Sequence, residues 1–154
     1  MRRYTQRGQI EINAPVEQVY AVATDPTMVP LYVPEITRIE VLQKLPSGEE
    51  LVRSHIKVGR FSIPYLYRYR YIPFKYYGGV QEYGRIFRGY FGLRFRRRGD
   101  KTRVIHTEGI VSSLPGMAWV VGFIYFGILA RCATGEELNR LKVLVETGSA
   151  VKEE

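Results

Sequence analysis

The residues of this chain best suited to chemistry lie in one short run, Val104-Ile105-His106-Thr107-Glu108-Gly109-Ile110. Alternate side chains of an extended strand share a face, so Val104, His106, Glu108 and Ile110 fall together. Two positions along a strand are about 7 Å apart, near enough for an imidazole and a carboxylate to share a ligand or a water. A histidine titrating near neutrality beside a carboxylate can exchange protons or fix a ligand carbonyl. The same pair can instead satisfy buried tyrosine hydroxyls and do no chemistry, since buried polar groups need partners. Read from the residues alone, His106 and Glu108 are candidate catalytic groups with no assigned role.

Little else in the chain is reactive. The second histidine, His55, falls on a strand face with Arg53 and Lys57, where solvent exposure is the default. The one cysteine, Cys132, lies in a helical pattern and reads as a buried inert thiol rather than a nucleophile. Two histidines and one cysteine, none closely spaced, give no metal signature, so no metal and no cofactor is expected. There is no G-x-S-x-G elbow, P-loop or dinucleotide fingerprint. With two aspartates in the chain, Glu82 and Glu108 are the remaining possible carboxylate partners, and nothing in their spacing selects them.

The elements that must position these groups follow from periodicity. Ile10 and Ile12 alternate with polar neighbours as in a half-buried strand. Asn13 can cap a helix, Pro15 suits its first turn, and Val16, Val19, Tyr20 and Ala23 make one apolar face. Asp25-Pro26 stops that helix, and Asp25 can cap a second short one over Thr27 to Leu31. Strands are expected over Thr37–Leu42, Leu51–Val58, Ser62–Ile72, Tyr76–Tyr83, Ile86–Arg97 and Thr102–Val111. In the third, Tyr65, Tyr67, Tyr69 and Tyr71 share a face. In the fifth, Phe87, Phe91, Leu93 and Phe95 oppose Arg88, Tyr90, Arg94 and Arg96. Gly78-Gly79 suits a bulge or bend, and Gly99-Asp100 a hairpin turn. After Pro115-Gly116 the pattern turns helical. Met117 to Ala130 is almost wholly apolar, and from Thr134 an amphipathic helix buries Leu138, Leu141 and Val145 and exposes Glu136, Glu137, Arg140 and Lys142. Val151 to Glu154 reads as a frayed tail.

A chain of 154 residues with this composition suits one domain with a real core. The single cysteine fits a reducing cytoplasm, and the opening MRRYTQRG lacks the apolar stretch of a cleaved secretory signal. The formal charge is +8, and seventeen of the 23 basic residues are arginine. A basic balance suits nucleic acid, anionic lipid or an acidic partner, or is a solvated surface and nothing more.

The order β, two short helices, about six strands and a long helix resembles the START-like, or Bet v 1-like, helix-grip superfamily. The nearer likeness is to its polyketide cyclase/dehydrase and lipid-transport branch, which includes coenzyme Q-binding proteins. The residues carrying it are I-x-I-N-A-P-V-E-Q-V-Y-A-V-A-T-D-P at Ile10 to Pro26, then G-D-K-T-R-V at Gly99 to Val104, then the C-terminal helix. The resemblance implies an α+β helix-grip fold, with a curved antiparallel sheet of about seven strands around the long helix and a cavity between. It spans nearly the whole chain as one ligand-binding domain. It implies a hydrophobic ligand without saying which, and it points Val104 inward, with His106 and Glu108 beside it.

On that reading Tyr65, Tyr67, Tyr69, Phe87, Phe91, Phe95, His106, Glu108, Trp119 and Phe123 are the expected ligand-binding residues. These aromatics can equally well fill a solid core. The apolar run Met117–Ala130 is too short to span a bilayer, which needs about 20 residues. It can be gripped by the sheet, or offer Trp119, Phe123 and Phe126 to a second copy or to a membrane surface. Arg94, Arg96, Arg97, Arg98, Lys101 and Arg103 crowd one hairpin beside Tyr90, Phe91 and Phe95, superficially like an RNA-binding face. No RNA-binding signature accompanies them, so nucleic acid is the less favoured partner, although some members of the superfamily act on ribosomes. Three functions are therefore carried forward. The first is a cytoplasmic carrier of a lipid, isoprenoid quinone or polyketide-like aromatic. The others are a polyketide cyclase or dehydratase using the same cavity, and an interaction module for RNA, ribosome or membrane.

Overall fold

A computed structural model describes residues 2–124 and 133–150. Cys132, Phe126, the rest of the apolar run beyond Ile124 and the tail 151–154 lie outside the described residues.

Seven strands form one antiparallel sheet: β1 (Arg2–Ile12), β2 (Ile36–Lys44), β3 (Glu50–Val58), β4 (Phe61–Ile72), β5 (Tyr76–Gln81), β6 (Phe87–Arg98) and β7 (Lys101–Ser112). Their spatial order is β1-β7-β6-β5-β4-β3-β2, so chain neighbours from β2 to β7 pair as successive hairpins and β1 closes the other side on β7. The helices α1 (Val16–Thr24) and α2 (Val29–Tyr32) fill the long crossover from β1 to β2. Helix α3 (Met117–Gly122) follows β7, and α4 (Ala133–Thr147) lies against β1, β7, α1 and α2. The fold is α+β, a curved sheet gripping a C-terminal helix.

Every expected strand is present: β2, β3, β4 and β7 run one to three residues longer, β5 ends two residues sooner, and β6 is shifted by one residue. The first is much longer, because Arg2 to Gly8 pairs with β7 out to Ser112 although its sequence does not alternate. Gly99 takes φ +64° in the two-residue turn between Arg98 and Lys101, a conformation that glycine adopts without steric cost. Gly78-Gly79 makes no bulge. Both residues keep regular register with β4 and β6, and the shifts fall instead between β2 and β3. The glycines are needed for aromatic rings: a Cβ on Gly79 would stand 2.6 Å from the Tyr69 ring and 2.7 Å from that of Phe91.

The helix caps also differ from expectation. Asn13 does not cap α1; its backbone N–H donates to Glu146 Oε1 at 2.7 Å, tying the entry of α1 to α4. Asp25 makes a local turn, accepting from the N–H and hydroxyl of Thr27, and α2 starts later than expected, at Val29. The core between sheet and helices joins Ile12, Val16, Val19, Ala23, Val52, Tyr69, Phe95, Val104, Leu138, Leu141 and Val145.

Candidate functional site

A partly open cavity of about 510 Å³ lies between the concave sheet face, α2 and α4. Its walls come from period-two strands that send alternate side chains inward. Strand β4 supplies Tyr65, Tyr67 and Tyr69; β6 supplies Phe87, Phe91 and Leu93; β7 supplies His106, Glu108 and Ile110. Helix α4 closes it with Glu137, Leu138 and Leu141, and the segment through α2 adds Val29, Tyr32 and Glu35. Exposure grades from Val58 at 50% to Tyr69 and Tyr77 at 2%, so the cavity has a wet end and a buried end.

At the buried end the aromatics hold one another edge-on. Tyr69 meets Tyr77 at 5.5 Å and Phe91 at 5.3 Å, both nearly perpendicular. Edge-to-face pairs of this kind add about 0.5–1.5 kcal/mol beyond burial. The hydroxyls of Tyr69 and Ser54 are 3.0 Å apart, and Tyr32 donates to the Ala23 carbonyl at 2.6 Å. These rings are therefore fixed walls rather than loose fillers.

Glu35, Gln81, His106, Glu108 and Glu137 interrupt the apolar lining, and the last three come together. His106 is only 5% exposed, and burial lowers its pKa to about 4, so the imidazole is neutral at pH 7. Glu137 Oε2 stands 3.3 Å from His106 Nδ1. Burial first, then the nearby Glu108, Glu35 and Glu136, push the Glu137 pKa up to about 9. Although 3.3 Å is an ion-pair distance, the pair is neutral at pH 7, because burial disfavours both charged forms. Glu108 is raised as well, by burial and by Glu35, against a 2.5 Å hydrogen bond donated by Thr134 Oγ1 to its Oε1. Such a set can hold a ligand carbonyl or hydroxyl, pass a proton, or bind a cation.

Of the ten residues expected to meet a ligand, seven line the cavity: Tyr65, Tyr67, Tyr69, Phe87, Phe91, His106 and Glu108. Phe95 does not. It is buried beneath α1, edge-on to Tyr20 at 5.3 Å, because β6 has passed the cavity by that point. Trp119 and Phe123 also lie outside, 60% and 59% exposed. Helix α3 packs on β1 and β7 away from the cavity, with Trp119 edge-on to Tyr4. Tyr90, expected on the outer face, reaches the lining, and its hydroxyl contacts Thr5 Oγ1. Glu137, expected outside, is the largest correction. Glu35, Tyr32 and Tyr77 carry no sequence signal strong enough to single them out.

The remaining polar candidates are engaged elsewhere. His55 is half-buried rather than exposed, with Nε2 2.9 Å from Glu40 Oε2. Glu82 accepts two bonds from Arg68 at 3.1 and 2.6 Å and does not join the cluster. In the arginine hairpin, Arg97 pairs with Glu17 and Lys101 with Glu11. Among the described residues no helix is long and apolar enough to cross a membrane.

Residues 12–108 match the family model for polyketide cyclase / dehydrase and lipid transport. The chain belongs to that family. No curated protein matches it in sequence. Among solved structures it is similar to the Zhui aromatase/cyclase from Streptomyces sp. R1128, at 16% identity and TM-score 0.71, covering 97% of this chain and 100% of that one. It is similar to a START superfamily protein from Mycobacterium smegmatis at 18% identity and TM-score 0.72, with coverage of 94% and 99%. A protein from Thermus thermophilus gives 21% identity and TM-score 0.67, with coverage of 96% and 100%. At such identities the likeness is one of fold.

Proposed function

We propose that this family member binds and carries a hydrophobic small molecule, a lipid, isoprenoid quinone or polyketide-like aromatic, in the cavity beneath α4. One observation carries the reading: a cavity of about 510 Å³ is walled largely by aromatic and aliphatic side chains, with a few polar groups, three of them gathered at His106, Glu108 and Glu137. Ligand pockets are commonly about 300–1,000 Å³, mostly apolar, with a few placed polar groups that orient the guest. Tyr65, Tyr67, Tyr69, Phe87 and Phe91 would clasp the apolar body, and His106, Glu108 and Glu137 would meet an oxygen on it. Protein purified without denaturation should release an extractable apolar compound to organic solvent, read by mass spectrometry, and should bind an environment-sensitive apolar dye. A preparation that yields neither would sink the carrier reading.

A second reading is favoured by the cluster itself. A neutral imidazole and two carboxyl groups facing one cavity suit proton transfer to and from a folded polyketide-like chain, as a cyclase or dehydratase requires. His106→Ala should then bind substrate yet lose turnover by about 10²–10⁴-fold. Full turnover in that variant would remove His106 from any catalytic role.

A further inference from the structure

We propose that His106, Glu108 and Glu137 form a binding site for a first-row divalent metal ion, of the Zn²⁺ or Co²⁺ kind, opening onto the cavity. Each residue offers one donor atom, and the three atoms lie within 4.8 Å of one another. His106 Nδ1 is buried and has no hydrogen-bond partner among the described residues. Its nearest carboxylate oxygen, on Glu137 at 3.3 Å, makes no hydrogen bond with it. That separation suits two donors of one ion: tetrahedral bonds of about 2.1 Å set ligand atoms about 3.4 Å apart. An orphaned buried nitrogen beside an oxygen it does not bond is thus explained by an ion between them.

The surroundings agree. The chain carries a net +8, yet no lysine or arginine lines this cavity among the described residues, while Glu35, Glu108 and Glu137 do. Two ligating carboxylates would balance a dication and leave a neutral complex in an apolar wall. The Thr134 hydroxyl already orients Glu108 through its 2.5 Å bond, as groups behind metal ligands do. One imidazole and two carboxylates without thiolate is a mixed nitrogen–oxygen set suited to Zn²⁺, Co²⁺, Fe²⁺ or Mn²⁺. Three protein ligands leave a position toward the cavity, where a water or a guest oxygen can bind. The site goes beyond the carrier reading and does not depend on it.

The test uses the full chain, stripped with a chelator and titrated near neutral pH with Co²⁺ and then Zn²⁺. The expected result is one ion per chain, a visible d–d spectrum for Co²⁺ and a raised melting temperature. Glu137→Gln and His106→Ala should each weaken uptake at least tenfold, about 1.4 kcal/mol. His55→Ala should leave it unchanged, because His55 serves the outer-face pair with Glu40. In the unsubstituted protein, Co²⁺ should broaden the imidazole resonances of His106 and spare those of His55, a readout that survives if the variants misfold. No uptake, uptake indifferent to both cavity variants, or broadening of His55 alone would each overturn the site. Dye binding without metal uptake would leave the carrier reading standing and remove the metal site. Metal uptake without dye or lipid binding would keep the site and remove the carrier.

Discussion

Glu137 is the residue at which folding and chemistry conflict most. Its pKa moves from the usual 4.5 to about 9, chiefly by burial. A carboxyl group whose pKa rises on folding prefers the native state when protonated. Its contribution is fully present below pH 4.5 and is lost as pH climbs toward about 9. His106 runs the other way, its contribution present above 6.5 and lost as pH falls through about 4. In metal-free protein, Glu137→Gln should therefore raise the melting temperature, with a gain growing from pH 5 to pH 9, roughly 1–3 kcal/mol at the alkaline end. Thermal melts across that range check it. A flat difference, or a destabilised variant at pH 8, would show that Glu137 is not held neutral. The position is legible in the helix pattern. Glu137 sits three residues after Thr134, four before Leu141 and seven before Leu144, all buried. Residue type outweighs spacing in a reading by polarity, so a charged residue is placed in solvent. His106 and Glu108 are legible because strand alternation ties them to Val104, which is fully buried.

At the scale of elements, β3, β4, β6 and β7 are readable because apolar and polar residues alternate along them, whereas β5, Tyr-Tyr-Gly-Gly-Val-Gln, does not alternate. Strand β1 is not legible before Gln9, because its outer half, Arg2 to Gly8, is a polar run whose pairing is dictated by β7 and not by its own pattern. The Gly78-Gly79 pair reads as a bulge, the usual local meaning of glycine in a strand. Its actual cause is tertiary: rings from β4 and β6 occupy the space a side chain would need. Gly79→Ala should therefore be costly although Gly79 sits in ordinary extended backbone. The new methyl would force Tyr69 and Phe91 from positions 2.6 and 2.7 Å away, and overpacking of this kind costs about 1–3 kcal/mol. Denaturant unfolding should show that loss with an unchanged slope. Dye affinity should fall too, since both displaced rings line the cavity. Stability within about 0.5 kcal/mol of the parent would mean the rings are freer than their edge-on contacts suggest.

Whether a sheet and helix leave space between them is a property of the whole molecule, and here the sequence has least to say. Identical aromatic strands can fill a core or line a hollow; the outcome depends on sheet curvature and on how far α4 stands off. Gly89 gives direct access to this question. It lies on β6 in the cavity wall, and a Cβ there would meet only the Tyr67 hydroxyl and Gln81 Oε1, at 3.6 and 3.7 Å, ordinary contact distances. Gly89→Phe would therefore place a ring into empty volume without forcing backbone aside. Filling apolar space on a strand that prefers aromatic residues should leave stability unchanged or raise it by about 0.5–2 kcal/mol. Apolar dye binding and ligand recovery should drop at least tenfold. Metal uptake at His106, Glu108 and Glu137 should persist, because the ring would occupy the organic compartment rather than the donor atoms. A variant that melts normally and still binds dye at full strength would place the guest elsewhere, with the exposed apolar surface around Trp119 and Phe123 as the next location to probe.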